Sequence, residues 1–505
     1  MTAPHSGIEV RTAAGLVRGR MEEGLAVFRG IPFAEAPVGE LRFAAPRPPR
    51  AWDGARPAES FGPPPPQSQM FGRPPSTGGG DDWLTVNVWS PRPDAGAGLP
   101  VMVWIYGGAY RFGHAADPVY DGARLAAGGG VVLVTFNYRV GVEGFGQIEG
   151  APANRGLLDQ VAALEWVRDN ITGFGGDPGN VTVFGESAGA GSVAALLAMP
   201  RAAGLVRRAI AQSVPGTYLS PALASDIMTV IAGRAGCKPA AAELAGVPPA
   251  ALVAASDAVS DAMAAYAGRW GGVASTPTPF SPVVDGEVLP QTPWQALAGG
   301  AGRGVALIAG HNRDEFRLFV AMAGKLGQVS DAEAARTLET FEPRPGGYRD
   351  AFPGASAERL FELVQSDWLF RMPSERLAAA QAAGGGWAYL YELIWPAPGM
   401  GGVLGACHAL DVPLVFGNLA AGELATMLIG AEPPAAAAVV SAHLQTAWTA
   451  FARDGDPGWP RYGSASRQTA IFSTELSVAP YPEEAARRLW ESHQFPALPL
   501  LGAGA

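Results

Sequence analysis

The stretch "NVTVFGESAGAGSVAALLAM", Asn180 to Met199, constrains the chain more than any other. Val181, Val183 and Phe184 read as the end of a buried strand, and the small apolar residues from Ala188 onward read as a packed helix. Only Gly185, Glu186, Ser187, Ala188 and Gly189 separate the two. A strand, a G-x-S-x-G turn and a helix in direct succession form a nucleophile elbow. The chain must reverse tightly, and a β-carbon at Gly185 or Gly189 would crowd the turn. Ser187 is therefore expected in a strained conformation, with its hydroxyl clear of both elements. It stands at a helix N-terminus, whose free N–H groups favour developing negative charge.

Short apolar runs recur through the chain: "VMVWIY" (101–106), "VVLVTFNY" (131–138), "VTVFG" (181–185), "VALIAG" (305–310) and "WAYLYEL" (387–393). They are too short for helices and rich in β-branched and aromatic residues. Helical patterns lie between them. In "GLLDQVAALEWVRDNI", Leu157, Val161, Leu164 and Val167 form an apolar stripe, and the alanine-rich 240–255 and 435–447 read as outer helices. The expected class is α/β, with a mostly parallel sheet, helices on both faces and sites at the carboxyl ends of the strands. The segment "PPPPQSQMFGRPPSTGGG" (63–80) reads as a surface loop, not a linker, because strand-like segments resume on both sides. A single domain over 1–505 is expected.

With 46 acidic against 36 basic residues, the net charge is −10, which argues against a nucleic-acid or anionic-membrane partner. Lys238 and Lys325 are the only lysines, a pattern read as a high-GC bacterial genome. Two cysteines, Cys237 and Cys407, make no disulfide framework or metal-ligand spacing. No apolar run suits a signal peptide or a membrane span. A soluble cytoplasmic protein is expected.

A serine hydroxyl needs a base. In this fold the order along the chain is serine, acid, histidine, which removes His5 and His114 from the six histidines. His311 follows a strand with no room for an acid loop ahead of it. His443 lies in a helical pattern, and His493 near an expected mobile tail. His408 remains, in "GACHALDVPLVFG". "VALIAGHNRDEF" supplies an acid, either Asp314 or Glu315, and side-chain chemistry alone does not choose. "WIYGGAYRFG" is a glycine-rich strand end suited to an oxyanion loop, with the N–H of Ala188 as a second donor.

At this level of detail the chain resembles the type-B carboxylesterases, which include cholinesterases and bacterial p-nitrobenzyl esterases. The matching stretches run from about Val10 to Phe472 and include "FRGIPFAEAPVGELRF", "DDWLTVNVWSP", "WIYGGAY", "FNYRVGVEGF", "AIAQS", "SPVVDGEVLP", "GHNRDEF", "HALDVPLVFG" and "WTAFARDGDPGWP". The resemblance implies an α/β-hydrolase fold and a Ser187–His408–Glu315 triad. It implies oxyanion donors at Gly108, Ala109 and Ala188, and a supporting Ser213. Trp83 replaces a cysteine of the family's E-D-C-L, so a disulfide common in secreted members cannot form. Phe316 replaces the glycine after the acid, where it either narrows the acyl pocket or packs beneath it. Phe319 matches a pocket aromatic, Leu318 replaces another, and Tyr110, Phe112, Trp368 and Phe370 are further aromatic candidates. The loop 63–80 offers no assured choline-binding tryptophan, so choline esters are not favoured.

The expected function is hydrolysis of a small-molecule carboxylic ester through an acyl-enzyme, with no metal or organic cofactor. One alternative is a non-catalytic binding protein on the same scaffold. Another is an acyl hydrolase for amides, carbamates or thioesters.

Overall fold

A computed structural model describes residues 7–69 and 80–502 of the chain. Most of the 63–80 loop thus lies outside the described residues, as does His5. Thirteen strands make one sheet: β1 (Ile8–Arg11), β2 (Leu16–Glu22), β3 (Leu25–Pro32), β4 (Ala55–Pro57), β5 (Thr85–Ser90), β6 (Leu99–Ile105), β7 (Val132–Phe136), β8 (Gly176–Glu186), β9 (Arg208–Gln212), β10 (Ala306–Asn312), β11 (Ala388–Leu393), β12 (Gln468–Phe472) and β13 (Ser477–Pro480). Their spatial order is β1-β2-β3-β5-β7-β6-β8-β9-β10-β11-β12-β13, with β4 beside β2.

The strands from β7 to β12 in this order pair in parallel. The two ends are antiparallel meanders. Parallel strands are covered on both faces and therefore read as unbroken apolar runs. In β6, Val101 through Ile105 are all buried, as is every residue of β7 and β11. Helices pack around the sheet, Ala188–Ala198 on β8 and β9, and Ala435–Asp454 on β6, β8 and β12. The five expected strands are present, with β8 starting earlier, at Gly176, and the expected helix at 435–447 runs on as Ala435–Asp454; the expected helix at 240–255 is instead two helices, Ala241–Leu244 and Pro249–Asp261.

Three loops leave the carboxyl ends of parallel strands at the centre of this sheet. The β6 loop carries Gly108, the β8 turn carries Ser187, and the β10 loop carries Glu315. The β11 connection brings His408 to the same edge. Among the described residues no helix is long and apolar enough to cross a membrane.

Candidate active site

Ser187 stands between β8 and the helix Ala188–Ala198 with φ 57° and ψ −124°, outside the regions L-residues favour. Its N–H donates to Gln212 O at 2.9 Å, and its carbonyl accepts from Gly191 N at 2.9 Å. The flanking glycines are sterically required. A β-carbon on Gly189 would lie 2.0 Å from Ile105 O, and one on Gly185 2.7 Å from the same oxygen.

His408 Nε2 lies 2.9 Å from Ser187 Oγ, and Nδ1 lies 2.6 Å from Glu315 Oε2. A carboxylate only accepts, so Nδ1 carries a proton, and in the neutral ring the Nε2 lone pair faces the hydroxyl. Glu315 Oε1 accepts from Ser213 Oγ at 2.5 Å and from Asn312 N at 2.8 Å. Glu315 is fully buried. The structure thus brings Ser187, His408, Glu315 and Ser213 into one hydrogen-bonded chain.

Asp314, the chemically equivalent neighbour, points elsewhere. Its Oδ1 accepts from Arg359 Nη1 at 3.0 Å and its Oδ2 from Ala406 N at 3.1 Å. Asp314 therefore fastens the chain just before His408.

The glycine-rich loop after β6 lies against Ser187. A β-carbon on Gly107 would sit 3.2 Å from Ser187 Cβ. Gly108 has φ 110° and Ala109 φ 56°. Among the described residues, the N–H groups of Gly108, Ala109 and Ala188 are not bonded to another backbone carbonyl. Of the ten non-glycine residues with positive φ among the described residues, five border this site: Ala109, Tyr110, Ser187, Ser213 and Ala409. Such strain clusters where surrounding structure over-determines the backbone.

The aromatic candidates divide. Phe370 stacks on the His408 ring with centroids 4.2 Å apart, and Phe319 lies 5.3 Å from it. Phe316 packs on Phe319 at 5.2 Å and on Phe361 at 6.1 Å, so it supports the aromatic wall from behind. Tyr110 is buried against Phe145, at 4.5 Å, and presents almost no surface to a ligand. Trp368 packs on Phe341.

Two of the other histidines correct the sequence reading. His311 lies inside β10, fully buried, with Nε2 2.8 Å from Tyr481 OH. His493 is no tail residue, because its ring packs between Trp490 and Phe495 at 4.7 and 4.9 Å. His443 is in the helix Ala435–Asp454 as expected.

Sequence reasoning missed two buried carboxyls beside these residues. Glu186 Oε1 lies 3.2 Å from His408 Nε2, a charge contact without hydrogen-bond alignment. Asp411 Oδ2 accepts from Gln212 Nε2 at 2.8 Å and Tyr391 OH at 2.9 Å. The signal was present: Glu186 is the variable residue of the elbow, and Asp411 lies three residues past His408. Burial pushes the Glu186 carboxyl up to about 8; the attraction of His408 opposes this, and the charges of Asp411 and Glu315 reinforce it. Burial alone would lower His408, but the charges of Glu186 and Glu315 outweigh it and hold the imidazole up to about 9.

The carboxylesterase family model matches residues 6–490. The para-nitrobenzyl esterase of Bacillus subtilis (strain 168) is 36% identical over 494 residues, covering 95% of this chain and 97% of that protein. The phenmedipham hydrolase of Pseudarthrobacter oxydans is 34% identical over 484 residues, covering 92% of this chain and 94% of that one. The crystal structure of the Geobacillus stearothermophilus carboxylesterase EST55 at pH 6.2 superposes with a TM-score of 0.84 at 37% identity, covering 95% of this chain and 99% of that one.

Proposed function

The chain belongs to the carboxylesterase family and is a serine carboxylesterase of the α/β-hydrolase fold, and on that premise we propose that Ser187, His408 and Glu315 are its nucleophile, base and acid. The observation that carries this reading is the unbroken chain of contacts from Ser213 through Glu315 and His408 to Ser187, at 2.5, 2.6 and 2.9 Å.

His408 takes the proton of Ser187 as Oγ attacks the ester carbonyl. The N–H groups of Gly108, Ala109 and Ala188 hold the oxyanion, whose charge exists only along the reaction path. The imidazolium, stabilised by Glu315, then protonates the leaving alkoxide. Water repeats the sequence on the acyl-enzyme. An organophosphonate should label Ser187 stoichiometrically and abolish hydrolysis. A fully labelled enzyme that still turns over ester would sink the proposal.

The base acts only when neutral. A raised pKa retains the proton to higher pH, so the acidic limb of kcat/KM should lie above pH 6.5, with activity gained as pH rises through it. Glu186 and His408 titrate as a pair, and Glu186→Gln removes a charge that holds the imidazole up. The limb should therefore move to lower pH in that variant. Profiles from pH 5.5 to 9.5 test this, and a limb at or below 6.5 in the parent contradicts it.

Phe319 and Phe370 are nearly parallel at 6.0 Å. An alkyl chain needs roughly 7 Å between two rings, at about 3.5 Å contact on each side. An alkyl chain therefore does not fit between these two rings, and our reading is that this aromatic wall closes the acyl side of the site to long chains. Phe319→Ala should raise kcat/KM for octanoyl relative to acetyl p-nitrophenyl esters by about tenfold. An unchanged ratio would place the acyl group elsewhere.

We read the chain as one domain, because a single sheet runs from β1 to β13. Cys237 and Cys407 are both free, which supports a reducing bacterial cytoplasm. A small-molecule ester is the partner that the site supports, without nucleic acid.

A further inference from the structure

Residues Asp367–Arg371 form one turn of π-helix between the helices Ala357–Ser366 and Met372–Ala383. Such turns are rare and recur at functional sites, because the inserted residue redirects the side chains around it. This one touches the triad's supports from several directions.

Ser366 Oγ accepts from Phe316 N at 3.0 Å, and Phe316 directly follows Glu315. Arg371 Nη1 donates to Arg313 O at 3.0 Å, two residues before Glu315. The acid's loop is therefore tied down on both sides. The backbone after Ser213 is held in the same manner: Gly216 N donates to Leu369 O at 2.8 Å, and Val214 N to Ser374 Oγ at 3.0 Å. Phe370, between these anchors, stacks on His408.

The turn is itself fixed. The Arg371 side chain is fully buried, with Nε donating to Asp367 Oδ1 at 2.7 Å and Nη2 3.1 Å from Glu483 Oε2. Asp367 Oδ2 accepts from Tyr348 OH, which accepts from Trp490 Nε1, both at 2.6 Å. A buried ion pair is weak evidence for stability, since apolar residues of equal volume often serve as well. A guanidinium that also grips the backbone of the acid loop does something an apolar replacement cannot.

Glu315 and His408 arrive on loops from different strands, β10 and β11, and beside the direct ties of Asp314 to Ala406 and of Asn312 to Cys407 their 2.6 Å separation draws on a common outside reference. We propose that the π-turn Asp367–Arg371 is that reference, a positioning element in which Arg371 acts through the Arg313–Phe316 backbone and Phe370 through the imidazole ring. The inference rests on the triad reading above.

Arg371→Met leaves buried carboxyls uncompensated and is liable to unfold, so Arg371→Lys and Ser366→Ala are the variants of choice. Lysine keeps the charge beside Asp367 and Glu483 but lacks the fork that also reaches Arg313 O. Ser366→Ala removes the acceptor of Phe316 N alone. Each full-length variant is titrated to completion with an organophosphonate, and kcat is expressed per titrated site. Both should lose roughly tenfold in kcat, the scale of a sub-ångström misplacement, with KM within twofold and slower phosphonylation of Ser187.

The proposal is overturned if kcat per site stays within twofold of the parent in both, which would make the turn merely structural. It is equally overturned if KM rises while kcat holds, which would make the turn a substrate contact. Failure to label Ser187 in the parent is a separate result, and it sinks the triad rather than the π-turn.

Discussion

Ser187→Ala is expected to lower kcat by on the order of 10³ or more while leaving the fold intact. Oγ is the atom that faces His408 Nε2, at 2.9 Å, so its removal eliminates the covalent route. What remains is binding and oxyanion stabilisation of a water attack, a modest catalyst. The fold should survive for a local reason. Serine and alanine both carry a β-carbon, so the strain at φ 57° is the same in both. The backbone bonds from Ser187 N to Gln212 O and from Gly191 N to Ser187 O are unaffected. The measurement is kcat on p-nitrophenyl acetate, paired with a melting curve. A variant that retains a tenth of the parent rate removes Ser187 from the mechanism. A collapsed melting temperature instead refutes the claim that the residue is structurally neutral.

Gly189→Ala should do the reverse and damage the fold itself. The new β-carbon would lie 2.0 Å from Ile105 O, 2.9 Å from Ile105 C and 3.0 Å from Tyr106 C. These are backbone atoms of β6 and its end, not flexible side-chain tips. Relief requires the elbow to move away from β6, against the β6–β8 pairing that places Ile105 beside Gly185. The oxyanion loop begins at the same point, so the site is lost together with the packing. A penalty of at least about 3 kcal/mol is expected, seen as a melting temperature lower by roughly 5 °C or more. Gly128→Ala is the control. Gly128 is an exposed residue of the helix Ala123–Gly129 with nothing within 4 Å of an added β-carbon. Alanine there should be neutral or stabilising. If Gly189→Ala melts with that control, the tight elbow is wrong.

The parts of the molecule legible before any coordinates are those governed by near neighbours in the chain. The elbow is one: five consecutive residues decide that a strand turns into a helix around a half-buried hydroxyl. The parallel strands are others, because burial on both faces demands short apolar runs. The antiparallel strands β1–β3 and the β12–β13 pair were not read. Their residues alternate weakly, and their partners lie at the sheet's ends.

Asp314 and Glu315 show where local reading stops. They are adjacent acids on one loop, equally able to orient an imidazole. The choice between them is made by Arg359, which takes Asp314 from a helix 45 residues on, and by His408, which meets Glu315 93 residues away. Phe316 likewise packs behind the wall rather than blocking it, because Phe361 is there to receive it. Tyr110 was expected to line the pocket, yet it is buried against Phe145.

The sequence by itself determined the elements, the elbow and a short roster of candidates, since turn sterics and apolar periodicity act over a few residues. Only the tertiary structure decided which candidates meet, with His408 and Ser187 221 positions apart. The order of strands in the sheet sets that meeting, and the order arises from long-range pairing that no local pattern encodes.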